Sequence, residues 1–165
     1  MNFNNLKYPE IKQIKKKRKK QIAESLFSSA IKNTKGIIGH KLHNNPLAHQ
    51  TTHCDFEIFN KYGDVFMIEV KEVNLTSKSK TFIFSRVTQK NALLYYSNFS
   101  LKIKSFVLLY FRNRLKEDSY WFLIDIKKWV SFTTSFHKKS AYLNEMLDHF
   151  KPFNINDLSY FTNPL

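Results

Sequence analysis

Asp55, Glu69 and Lys71 are the residues whose types and spacing suit chemistry. They lie in two runs, 55–59 and 65–71, that are rich in aromatic and β-branched residues as strands are. Between the runs, residues 60–64 read as a short turn, with Gly63 able to supply a positive φ. A hairpin centred near Tyr62 sets Asp55 directly opposite Glu69, and opposed side chains share a face with Cβ atoms about 4.5–5.5 Å apart. Lys71 follows Glu69 by two and points the same way, whereas Phe66, Ile68 and Val70 point to the other face and anchor a core. Two carboxylates at that separation repel unless a cation lies between them, and hard oxygen ligands suit Mg²⁺, with Mn²⁺ as a substitute. Such an ion lowers the pKa of a bound water and neutralises charge on a phosphate in flight. A lysine adds fixed positive charge beside both. The chemistry this face supports is metal-assisted phosphodiester hydrolysis.

The 165-residue chain carries a net charge of +14 with a sequence pI near 9.8, which predicts a polyanionic partner. Nucleic acid is the first candidate and an anionic membrane surface the second. The length implies one domain, read here as a basic flexible arm over residues 1–20 and a folded domain over 21–165. Cys54 is the single cysteine, so neither an intramolecular disulfide nor a cysteine-based zinc site is expected, and a reducing, cytoplasmic location suits the chain. The N-terminus has no apolar run behind its lysines, unlike a secretory signal, and the longest apolar run, Phe106–Phe111, is far too short to span a bilayer.

Helical spacing of Ile22, Leu26, Phe27 and Ala30 predicts a helix over about 18–33, and a short strand is expected within 34–42. After the hairpin, 74–80 reads as a polar loop and 87–98 as a helix. The run 106–111 reads as a strand covered on both faces. Residues 119–125 read as another strand, 125–130 as the start of a short helix, and 140–150 as a helix capped by Ser140. That order describes an α/β domain built around a mixed sheet. His40, His43, His49 and His53 match no zinc spacing and read as loop histidines touching phosphate or solvent. Lys15, Lys16, Lys17, Arg18, Lys19 and Lys20, with Lys78, Lys80 and Arg86, read as phosphate grips, which carry affinity without reading sequence. Glu57 shares the Asp55 face as an alternative ligand, and Asp64 reads as a turn residue. Tyr95-Tyr96 and Tyr120-Trp121-Phe122 read as core rather than as a base-stacking platform. Taken singly, Glu69 and Lys71 also fit an exposed i,i+2 pair on a sheet face.

Asp55 followed by Glu69-Val70-Lys71 is similar to the PD-(D/E)XK nuclease signature. With Glu72, then Phe84 and Gln89 at the head of a helix, the chain resembles the RecU-type Holliday junction resolvases over roughly residues 20–150. Cys54 stands where that family carries Thr, Thr88 replaces the His of its His-Gln pair, and the short span from Glu24 to Asp55 leaves little room for its protruding stalk. Glu24 matches the family's helical acid loosely. The resemblance implies a compact form with a restriction-endonuclease-like mixed β-sheet flanked by helices. It implies a homodimer that binds four-way DNA junctions and resolves them by paired symmetric nicks, in recombination and repair. By the same resemblance Asp55 and Glu69 bind Mg²⁺, Lys71 assists the nucleophile, and Gln89 positions water or phosphate. The alternatives are another endonuclease of that superfamily, of homing or restriction type, and a catalytically degenerate junction-binding protein.

Overall fold

The computed structural model describes residues 22–43, 52–75, 81–113 and 119–165. The chain opens with helix α1 (Ile22–Asn33) and strand β1 (Ile37–Lys41), then the hairpin β2 (Phe56–Asn60) and β3 (Val65–Leu75). A short strand β4 (Thr81–Ile83) and a 3-10 turn (Phe84–Arg86) precede helix α2 (Lys90–Phe99). Strands β5 (Ile103–Asn113) and β6 (Tyr120–Asp125), helix α3 (Ile126–Ser135), strand β7 (Ser140–Tyr142) and helix α4 (Leu143–His149) follow, with a last 3-10 turn at Ser159–Phe161.

Five strands form one sheet in the order β1-β2-β3-β5-β6, while β4 and β7 pair separately. All neighbours in the large sheet are antiparallel except β3 and β5, which are parallel and joined through α2. The expected mixed sheet flanked by helices is therefore what forms. The hairpin pairs Phe56 with Ile68 and Phe59 with Val65, so it is centred on Tyr62 as the sequence predicts. Gly63 takes a φ of 77° in the turn. Asn60 Oδ1 accepts the amides of Tyr62 and Asp64, and buried Asp64 accepts from Asn60 Nδ2, which confirms it as a turn residue.

Alternation along β3 and β5 builds two cores. One face carries Phe56, Ile58, Phe66, Ile68, Val70, Phe106 and Leu108 and is covered by α1 through Ala23, Phe27 and Ile31 and by the C-terminal Leu158 and Phe161. Helix and sheet approach closely there: a Cβ at Gly39 of β1 would lie 2.6 Å from Ile31 Cγ2. The other face carries Met67, Val73, Val107, Leu109 and Phe111 and is covered by Leu93 of α2, Trp129 and Phe132 of α3, and Met146 of α4. Phe106–Phe111 is buried throughout, as a doubly covered strand must be.

The starts of α2 and α4 differ from the sequence expectation, whereas α3 starts where expected. Phe84–Arg86 form a 3-10 turn that Val87 closes, so α2 starts at Lys90 rather than Val87. Helix α3 runs on to Ser135, with Asp125 accepting the amides of Lys127 and Lys128 at its start. Ser140 does not cap a helix: it opens β7, whose Ala141 pairs with Phe82, both buried. α4 begins only at Leu143, where the Glu145 carboxylate accepts the Tyr142 amide at 2.7 Å. Long-range strand pairing there overrides local helical periodicity.

Candidate active site

The site forms where the β2–β3 ladder ends. Asp55 stands one residue before β2, its amide donating to Ile68 O at 2.9 Å and its carbonyl accepting Leu42 N at 2.8 Å. Its short side chain reaches the next rung, Oδ2 accepting the Val70 amide at 2.7 Å, so the carboxylate takes the place of a missing strand partner. Glu69 projects from β3 on the face of Met67 and Val73 and is fully buried, 0 % exposed. Lys71, two residues on, ion-pairs with Glu69 Oε1 and holds its Nζ 3.7 Å from Asp55 Oδ2. Gln89 stands at the N-cap position of α2, its side chain free of any capping bond to the helix amides. With its amide nitrogen turned toward the carboxylate, it donates to both Glu69 oxygens, 3.1 Å to Oε2. Strand end, central strand and helix start thus bring Asp55, Glu69, Lys71 and Gln89 together.

The cation between the two acids is the chain's own lysine, and it does not balance them. Burial pushes the Glu69 carboxyl up from 4.5 to about 7, and the Asp55 charge adds to the rise, although Lys71 pulls the other way. Cys54 beside them is pushed up to about 12, by burial first and then by the charges of Glu57, Asp55 and Glu69. Its thiol donates to Phe56 O at 3.3 Å. A chain of net charge +14 therefore keeps one pocket short of positive charge. An all-oxygen carboxylate pair with a deficit of positive charge fits a hard divalent cation, with Asp55 and Glu69 as its holders.

His53 is a residue whose setting the sequence reading missed. Its Nε2 lies 2.9 Å from Glu57 Oε1, and its ring packs 5.0 Å from that of Tyr96. Ligand atoms of His53, Cys54 and Glu57 lie within 4.8 Å of one another. His53 is thus a partnered residue beside the site rather than a loop histidine in solvent. His53 precedes β2, so strand parity alone does not place it; only its partner Glu57, four residues on, lies in the strand.

Other expected residues are elsewhere. Glu24 ion-pairs with Lys41 from α1, the helix that covers the opposite face. Arg86 donates to Glu72 O at 3.0 Å and lies over the Phe82 ring at 5.5 Å. Lys15 to Lys20, Lys78, Lys80 and His49 lie outside the described residues. Among the described residues no helix is long and apolar enough to cross a membrane. Tyr95 is 63 % exposed, against its reading as core, whereas Trp121 and Phe122 are buried as expected.

No protein-family model matches the sequence. No curated protein matches it either. Among solved structures the chain is similar to Hjc, a Holliday junction resolvase of the archaeal hyperthermophile Archaeoglobus fulgidus, with 14% identity and a TM-score of 0.46 over 84% of this chain and 96% of that one.

Proposed function

We propose that this protein is a divalent-metal-dependent endonuclease that resolves four-way DNA junctions, acting as a homodimer in recombination and repair. The convergence of Asp55, Glu69, Lys71 and Gln89 on one charge-deficient pocket carries the reading. The net charge of +14 supports a polyanionic substrate, and the resemblance of Asp55, Glu69-Val70-Lys71 and Gln89 to the resolvase pattern supports junctions as its class.

Asp55 and Glu69 would hold Mg²⁺ or Mn²⁺, which supplies a water of lowered pKa and neutralises charge on the scissile phosphate. Lys71, held beside both acids, would place an ammonium next to the attacking water and stabilise the negative charge that grows on the phosphate oxygens. Gln89 fixes the Glu69 carboxylate, and the Val70 amide fixes Asp55, so neither acid reorganises during the reaction. Paired nicks suit an isologous dimer, whose two sites share the junction's two-fold axis.

The test is cleavage in Mg²⁺ and in Mn²⁺ of a four-way junction, a linear duplex, a single strand and RNA. Symmetric nicking of the junction, lost in Glu69→Ala and Lys71→Ala, is the expected result. Sequence-specific cutting of linear duplex would instead indicate a homing- or restriction-type enzyme. Junction binding that survives Asp55→Ala, with no cleavage by wild type in either ion, would indicate a binding protein.

A further inference from the structure

A row of aromatic rings leads away from the acidic pocket along α2. It starts at His53, bonded to Glu57, and passes to Tyr96 at a ring separation of 5.0 Å. Tyr96 meets Tyr95 at 5.4 Å, and Tyr95 stacks on Phe99 at 6.1 Å with the planes 29° apart. The near end is half-buried; at the far end Tyr95 is 63 % and Phe99 70 % exposed. Gln89, on Glu69, stands immediately before the first residue of the same helix. At 1.5 Å per residue, Tyr95 and Phe99 stand about 9 and 15 Å along the axis from Gln89. That is roughly three to four base steps at 3.4 Å per strand.

Charge indicates what covers these rings. No acidic residue occurs between Glu72 and Glu117, and Arg86, Lys90 and Lys102 flank α2 within that stretch, whereas Lys104 and Arg112 belong to the α1 face of the sheet. A second copy docked here would set like charges against each other, whereas a polyanion is drawn in. In a nucleic acid the groups that lie flat on aromatic rings are bases, and bases freed from pairing offer their faces most readily. The i,i+4 spacing holds Tyr95 and Phe99 in a shared orientation before anything binds.

We propose that Tyr95 and Phe99 form a stacking platform for unpaired bases of the strand whose phosphate enters the Asp55–Glu69 pocket. The placement of that phosphate rests on the nuclease reading; the platform itself is tested without cleavage. Affinity of the full chain in EDTA is measured by fluorescence anisotropy for a forked duplex with unpaired thymidine arms and for a blunt duplex of equal length. Stacking contributes about fivefold or more per base. The Tyr95→Ala/Phe99→Ala double variant is therefore expected to bind the fork at least about tenfold more weakly and the blunt duplex within about twofold of wild type. Tyr95→Phe, which keeps the ring, should bind the fork like wild type. A 2-aminopurine in one arm should change its fluorescence on binding wild type and not on binding the double variant. Equal losses on both DNAs, or no loss on the fork, would overturn the proposal. So would sedimentation showing a wild-type dimer that the double variant splits, with affinity for both DNAs falling together. If wild type cleaves nothing with any divalent ion, the nuclease reading fails while the fork-to-blunt ratio still decides the platform.

Discussion

Glu69 and Glu72 stand three residues apart on β3 and face opposite sides of the sheet. Glu72 accepts the first two amides of α1, Ile22 N at 3.0 Å and Ala23 N at 3.1 Å, and lies 3.7 Å from Arg112 Nη1. Its charge meets unpaired donors at a helix N-terminus, where an anion is favoured, and a guanidinium besides. Glu69 is buried against another carboxylate, with one lysine shared between the two. The first acid ties a helix to the sheet; the second keeps an unmet demand for positive charge. Strand parity determines which acid does which. Both acids fall within one four-residue segment, Glu69 to Glu72, yet only one of them faces the pocket.

That contrast is broken most directly by substitution. Glu69→Ala and Lys71→Ala should lower cleavage by a hundredfold or more, on the order of what a lost preorganised charge costs. DNA affinity measured without divalent ion should stay within about threefold, since phosphate contacts elsewhere carry it. Glu72→Ala should leave cleavage per folded molecule unchanged. Cleavage that persists in Glu69→Ala, or that vanishes in a folded Glu72→Ala protein, would reverse the assignment.

The second way is pH. The Glu69 carboxyl titrates at about 7 in the folded chain against an ordinary value of 4.5. Between those values the folded state holds the extra proton, so stability falls as pH rises. The contribution is complete below about 4.5 and gone above about 7, on the order of 3 kcal/mol at 1.36 kcal/mol per unit. Glu145 and Asp157 titrate below their ordinary values and so act with the opposite sign, but at lower pH. Thermal melts in EDTA should therefore show a falling Tm from about pH 5 to 7.5, reversed by added Mn²⁺ and absent in Glu69→Gln. A flat profile in the wild type would mean that Lys71 alone balances the pocket.

The same two acids show what can be read from sequence. Asp55 facing Glu69 was legible because a hairpin turn fixes the register of everything after it, and Lys71 follows by parity. The continuous apolar run at Phe106–Phe111 announced a strand covered on both faces. The role of Glu72 was not legible, because it depends on a helix start 50 residues away docking on that face. Nor was β7, whose pairing with Thr81–Ile83 is settled by the burial of Phe82 and Ala141. Tyr95 fell within the expected helix but read as core, and Phe99 lay just beyond that helix's expected end; neither one's exposure was legible. Which stripe of a helix remains uncovered depends on where its neighbours pack.

Two smaller effects sharpen the comparison. Glu72→Ala leaves two helix-start amides without their acceptor and should destabilise the fold by about 1–3 kcal/mol, read as a lower Tm. Gln89→Ala should do least. Its amide donates to the Glu69 carboxylate, and a donor favours the charged form. Removing it should move the upper edge of the pH window to higher pH by about one unit, because a hydrogen bond to a charged carboxylate is worth about 1.5 kcal/mol at the low end. More Glu69 is then protonated at neutral pH, so Mn²⁺ affinity at pH 7 should fall by a few-fold and recover at pH 8.5. A deficit that persists unchanged at pH 8.5 would mean that Gln89 contacts the ion or the substrate directly. It would then belong with Glu69 and Lys71 rather than behind them.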